Sequence, residues 1–503
     1  MTLLLIILAI VVFALISKFF KNKKIFLIIS VAFVLSFYFF LAKNFFHIES
    51  FYPTSEIKTY YLCNNFYNLV ADALKDKKLY IGTLEEYPKL NVDNVYKNFD
   101  TVFEDPKYTN LFDSSYYKGK IYIYFGITPV LLFYLPFNII TSLYLTDKMV
   151  VFLLACLSFI LSLLLLKKIT TSLKFNVQSS IIILSIFLVG LCNYIPFLVI
   201  RSCIFEVAIL TANVLLLLSF LLLYFFLQTK ETTKRYILLI LISFCLALAA
   251  GARPFYVLHI PLFYCLILLF EYNQNKDIRK ILKVSFAFLA PCMFYGIILA
   301  LYNYLRFDSI FEFGFKYTLN SENHYEQTPS ITDALLAIKY NLFQIPDIVE
   351  DTIFSLAQTE GHLFANEVVI GVFWAFPLIL SFIFFPKFLL NIIKRNKEIF
   401  GIIILMLFVA GINLFITSFI GMVSRYFFEY MSLIVPMSLI LFYYLYSNAE
   451  DKLLKTVLNV YFILLFIYSV FMNMSCLFCE KFSLYYYGSS ADNYLKIIGF
   501  LFG

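Results

Sequence analysis

The chain has 503 residues, 62% of them hydrophobic and only 14% charged, with a mean hydropathy of +0.86 and a formal net charge of +7. Soluble domains carry about 25% charged residues, so a soluble fold is excluded. Several apolar runs exceed the roughly 18 residues that mark a bilayer-spanning helix, and they are continuous rather than alternating, which excludes a membrane β-barrel. The bases cluster in short loops between those runs, so the net charge reads as a topology signal and not as nucleic-acid affinity.

In chain order, a first span is expected over residues 1–17, and the basic stretch Lys18, Lys21, Lys23 and Lys24 follows it. With no basic leader segment and no small-residue cleavage site, this first helix reads as retained. A second span covers 25–45. If the basic hinge is cytoplasmic, the segment 47–125 is external. It holds eleven acids against nine bases, and TYYLCNNFYNLVADALKDKKLY within it has the spacing of an amphipathic helix lying on the membrane. The run 127–145, with Pro129 and Pro136, reads as an interfacial or re-entrant helix.

Ten further spans are expected at about 149–166, 177–199, 205–227, 236–251, 254–270, 283–302, 366–386, 399–420, 427–446 and 456–473. Every short loop this map assigns to the cytoplasm is basic. A second external segment, 303–365, holds nine acids against three bases. The C-terminal tail, 474–503, is external as well. The expected fold class is thus an all-α, polytopic integral membrane protein of about twelve spans. Its divisions are the hinge-bounded helix 1–24, a core 25–302, the loop 303–365, helices 366–473 and the tail. Cys476 and Cys479 are spaced by two residues without a second pair or histidine cluster, so they point to packing or a local disulfide rather than a metal.

The chemistry-bearing residues gather at the external ends of the helices. Arg201, Arg253, Arg306 and Arg425 each sit there, and arginine offers a planar fork of donors matched to phosphate oxygens. Arg425 and Glu429 are four apart, so mutual neutralisation on one helix face is the competing reading. Glu49 and Asp113 each stand within a few residues of an apolar boundary, where partial desolvation suits a carboxylate to general-base work. Helix capping and surface exposure are their rivals. The stretch Leu111–Pro129 adds Lys120 and the tyrosines Tyr116, Tyr122 and Tyr124, which suit either a sugar-binding surface or an interfacial aromatic belt. Acid-rich loops leave room for a divalent metal ion, with no spacing that singles out its ligands.

The pieces EDPKYTNLFDSSYYKGKIYIYFGITPVLLFYLP, GARPFYVL, YNYLRFDSIFEFGFKY and RYFFEYMSLIVP, and the layout of a helix, a large first loop and a bundle, resemble the GT-C superfamily of glycosyltransferases. The likeness is to the protein mannosyltransferase and aminoarabinose-transferase groups, in a bacterial branch. It implies a GT-C-like extracytoplasmic first loop and inverting transfer of a monosaccharide from a polyprenyl-phosphate donor. The acceptor would be a lipid, glycan or protein at the outer face of a bacterial-type plasma membrane. An acid early in the first loop serves such enzymes as base, which falls by position on Glu49, a glutamate where aspartate is usual. A transporter or flippase, or a non-catalytic assembly component for lipid-linked glycans, is the alternative. Charges gathered at one face and the absence of repeated halves favour the enzyme.

Overall fold

The computed structural model describes residues 2–45, 51–53, 66–91, 95–96, 111–274, 276–319, 330–349, 352–355, 370–420 and 423–477. Among these, twelve helices are long and apolar enough to cross a membrane. The protein is a multi-pass, predominantly helical membrane protein, as its hydropathy dictates.

The first two helices are α1 (Thr2–Ile16) and α2 (Lys23–Phe45). After α3 (Phe66–Lys75), a π-helical turn over Val130–Tyr134 leads into α4 (Leu135–Thr141). Together Val130–Thr141 is too short to span: at 1.5 Å per residue it covers about 18 Å of a 30 Å hydrocarbon core. It carries α3 on its back, joined by Lys75 Nζ to Asn138 Oδ1 at 2.6 Å.

The central bundle follows as α5 (Asp147–Ser172), α6 (Ser179–Leu191), the short α7 (Ile195–Arg201), α8 (Ile204–Gln228) and α9 (Thr232–Ala252). A 3-10 turn at Pro254–Leu258 precedes α10 (His259–Gln274), and α11 (Ile278–Phe307) closes this half. The spans Ser179–Arg201 and Ile204–Gln228 are 94% and 89% buried, whereas Ile278–Phe307 is 17% buried and faces outward. Apolar contact alone does not hold helices together in lipid, so polar bonds between them matter. Asn213 on α8 takes a bond from Ser158 at 3.3 Å and donates to Ser432 at 2.8 Å, and Tyr38 donates to the Gly190 carbonyl at 2.6 Å.

The last part comprises α12 (Ile331–Phe343), α13 (Val372–Ala375), α14 (Phe385–Arg395), α15 (Lys397–Ile420), α16 (Phe427–Asn448) and α17 (Lys452–Leu477). The span expected at 366–386 lies later, at Pro377–Arg395. Pro377 starts a 3-10 segment and Pro386 sits in the first turn of α14, where a missing N–H costs nothing. Lys387, Lys394 and Arg395 therefore ride on an amphipathic helix whose Phe388 and Ile392 face inward, rather than in a loop.

Strands are few. Phe51–Pro53 (β1) pairs antiparallel with Leu143–Leu145, and Gly82–Thr83 (β2), Ser115–Tyr117 (β3) and Lys120–Tyr122 (β4) form a sheet ordered β2-β4-β3. Ser115 also bridges to Thr318, and Leu319 N–H donates to the Ser114 carbonyl at 2.7 Å. The two polar segments of the sequence thus meet in one lobe, with Leu90, Val95, Leu111, Ile121 and Leu319 as its core. At the other helix ends, Ser17 meets Ser179 and Asn176 meets Ser447. The basic loops therefore lie at the end of the bundle opposite the lobe.

Candidate active site

The floor of the site is built where helices end. Pro254 forces the residue before it out of helical geometry, so Arg253 leaves α9 in extended conformation, with φ −137° and ψ 105°. Its Nε and Nη2 each reach an oxygen of Glu429 at 3.1 Å, a two-pronged pair with the Glu429 side chain fully buried in the first turn of α16. Arg425 stands beside it in the 3-10 turn Ser424–Tyr426. Its guanidinium carbon lies 4.4 Å from the Phe205 ring centre, and the Tyr426 ring is shared between Arg425 (5.2 Å) and Arg253 (5.0 Å).

The ceiling is the stretch Leu111–Pro129. Lys118 (φ 47°) and Gly119 (φ 78°) both take left-handed geometry, giving the two-residue turn that suits a twisted hairpin between β3 and β4. Beyond β4 the chain is fastened twice. Arg306 Nη1 donates to the Ile123 carbonyl at 2.7 Å while Nη2 holds Asn303 at 2.9 Å. Thr128 Oγ1 donates to the Leu248 carbonyl at 2.8 Å and also bonds Tyr295 at 2.7 Å. Between them Gly126 presses against the end of α9 so closely that a Cβ would stand 2.2 Å from the Gly251 carbonyl oxygen.

These fastenings hold Tyr124 and Phe125 over the arginines. The two rings stack at 4.2 Å, and Phe125 meets Phe205 edge-on at 5.1 Å. Burial pushes the Tyr124 hydroxyl well above the ordinary phenol range. The nearby Asp113 carboxylate adds to this, and Arg425 and Arg253 oppose it. Asp113 itself is left-handed, φ 62°, with its N–H donated to the Leu319 carbonyl at 2.9 Å. Tyr124 therefore lies within electrostatic reach of Asp113, Arg253 and Arg425.

The other described candidates are engaged with other partners. Glu49 is outside the described residues. Arg306 is spent on fastening the loop. Arg201 is buried against Glu206, Nε to Oε1 at 3.1 Å, and Glu206 also accepts from the Cys203 N–H at 3.2 Å. Lys120 is exposed, with its ammonium 4.8 Å from the Tyr80 ring centre. Tyr122 packs edge-on against Phe307 at 5.2 Å, and Tyr116 lies on the lobe core. Among the described residues no group of three or more His, Cys, Asp or Glu side chains converges as a divalent-metal site would.

Two participants had no clear sequence signal. Asp147, between the apolar runs 127–145 and 149–166, is buried and accepts from Tyr134. Tyr67, buried on α3, has a hydroxyl pushed well above the phenol range by burial and then by Asp147, against the pull of Arg253. Tyr67 thus lies within electrostatic reach of both Asp147 and Arg253, with its buried hydroxyl making no hydrogen bond among the described residues. Only the amphipathic spacing of α3 hinted that Tyr67 would point inward.

Fold and site together define a multi-pass helical membrane protein with a polar lobe over an arginine-bearing helix end. No protein-family model matches the chain, and no curated protein is similar to it in sequence. Its layout is similar to that of solved structures of the oligosaccharyltransferase of Archaeoglobus fulgidus. The apo form shows 11% identity and a TM-score of 0.48 over 89% of this chain and 56% of that one. The AglB complex with an inhibitory peptide and a dolichol-phosphate shows 11% identity and a TM-score of 0.49 over 91% and 56%. The form tethered to an acceptor peptide shows 13% and 0.46 over 91% and 55%. The chain spans little more than half the length of those proteins, and at such identity and score the likeness does not extend to chemistry.

Proposed function

We propose that this chain is a GT-C-type glycosyltransferase. It would move a monosaccharide, with inversion, from a polyprenyl-phosphate donor to a lipid, glycan or protein acceptor at the outer face of a bacterial-type plasma membrane. What supports this reading is that Tyr124 lies within electrostatic reach of Asp113, Arg253 and Arg425, at the helix end opposite the basic loops. Basic loops mark the cytoplasmic side, so the lobe faces outward.

In this reading the acceptor oxygen attacks the anomeric carbon and the bond to the lipid phosphate breaks on the opposite face. The electron pair leaves on phosphate oxygen, where Arg425, held against Phe205 and Tyr426, offsets the charge. Arg253 is already neutralised by Glu429 and serves to set the orientation of its neighbour. The acceptor proton passes to a loop carboxylate, Asp113 or Glu49. Phosphate is a good leaving group, so a strong general acid is not needed.

The test is a mass-spectrometric comparison of envelope glycans in cells carrying the wild type, Asp113→Asn, Glu49→Gln or Arg425→Ala. One carboxylate variant should lose transfer by at least a hundredfold, and Arg425→Ala should raise the donor requirement, at unchanged membrane abundance. Wild-type glycans from both carboxylate variants would discard the mechanism.

A further inference from the structure

Helices α9 and α11 lie side by side, and their contact changes along their length. Toward the lobe they touch: Gly251 leaves no room for a Cβ beside the Tyr295 ring, and Cys292 Sγ donates to the Ser243 carbonyl at 3.3 Å. Toward the basic end they part around a groove of about 550 Å³. Its walls include Ile240, Leu282, Phe286, Ala290 and Pro291, with Lys283 as their one charged member. Ile240, Leu282 and Phe286 are 45%, 61% and 76% exposed. On a membrane-spanning pair, such surface faces lipid.

Two further observations specify the occupant. From Lys283 to Pro291 the wall runs about 12 Å at the helical rise, close to the half-thickness of a hydrocarbon core, about 15 Å. At this end of the bundle Lys234 pairs with Glu231 and Arg235 with Glu271. Lys283 and Lys280, three residues apart on one helix face, have no carboxylate within ion-pair distance among the described residues. An apolar trough with an uncompensated basic mouth fits a molecule with a chain and an anionic head. Basic sites between helices on this side of a membrane are where such lipids bind.

We propose that the groove between α9 and α11 binds an anionic phospholipid, its acyl chain along Leu282–Pro291 and its phosphate on Lys283 and Lys280. The site lies at the opposite end of the bundle from the arginines and does not depend on the glycosyltransferase reading. Each lysine should favour the anionic lipid by about fivefold.

The full chain is purified, placed in bilayers of mixed phosphatidylglycerol and phosphatidylcholine, and its retained lipids are counted by native mass spectrometry. The wild type should retain phosphatidylglycerol over phosphatidylcholine. Lys280→Gln with Lys283→Gln should reduce that preference by at least tenfold, while the double Arg variant keeps it. Ala290→Trp should expel the lipid by filling the trough. Should Ala290→Trp fail to fold, the Gln and Arg variants decide the matter alone. Equal retention of the two lipids by the wild type, or a preference that survives the Gln pair, would overturn the proposal.

Discussion

Arg253 and Glu429 are the residues whose partnership most constrains the site. Glu429 is fully buried and gives both oxygens to Arg253. Replacing it by Gln leaves a buried guanidinium without its counter-charge, a class of change that costs about 3–5 kcal/mol. A large drop in the thermal midpoint of Glu429→Gln in detergent is expected, and a midpoint within a degree of wild type would contradict the pairing. The sequence offered Arg425, four residues before Glu429, as the neutralising partner; its charge does act on Glu429, but the two-pronged hydrogen bond goes to Arg253. Arg425 sits in the 3-10 turn that leads into α16, with its guanidinium over the Phe205 and Tyr426 rings. Arg253 lies 176 residues away, a separation at which local spacing says nothing. At Asp113 the backbone is left-handed, a region Asn tolerates well. Asp113→Asn should therefore keep wild-type expression and protease resistance, which makes it a clean probe of the carboxylate.

Among elements, the hairpin β3–β4 and the segment after it decide where the aromatic rings sit. The aromatic and basic density of Leu111–Pro129 was legible in the sequence. The fastenings were not, because Arg306, Thr318 and the end of α9 come from distant parts of the chain. Gly126→Ala would place a methyl group in backbone atoms that cannot move aside, and overpacking of this kind costs roughly 1–3 kcal/mol. Limited proteolysis should then cut the lobe of the variant faster than that of the wild type, while the bundle stays intact. The outer edge of the hairpin carries a pH dependence. Lys118 Nζ approaches Asp308 Oδ2 at 2.6 Å, and its hydrogen bond, with that of Tyr117, lowers the Asp308 pKa. A lowered aspartate pKa contributes stability that is present above its unfolded value, about 3.9, and is lost as pH falls through the folded value. Amide exchange at the turn should accelerate only below about pH 4, and Asp308→Asn should remove that step.

For the whole molecule, hydropathy and loop charge were enough to find twelve spans and to separate two ends, since apolar length and basic flanks are local properties. They misplaced the span at Pro377–Arg395 because an amphipathic helix with basic residues on its outer face resembles a loop in a hydropathy window. Single cysteines at Lys118 and Lys276 test the orientation. In intact cells a membrane-impermeant maleimide should label the first and spare the second; the reverse pattern would turn the protein over. The seam that Ser115 makes with Thr318, and with the Gly314 carbonyl to which its hydroxyl donates at 2.8 Å, has a further bearing on biogenesis. Ser115 and Gly314 are 199 residues apart, and ribosomes add about 5–20 residues per second. The early strands must therefore wait roughly 10–40 s for their companion, through the insertion of six more membrane helices, with an open edge that a chaperone would have to shield.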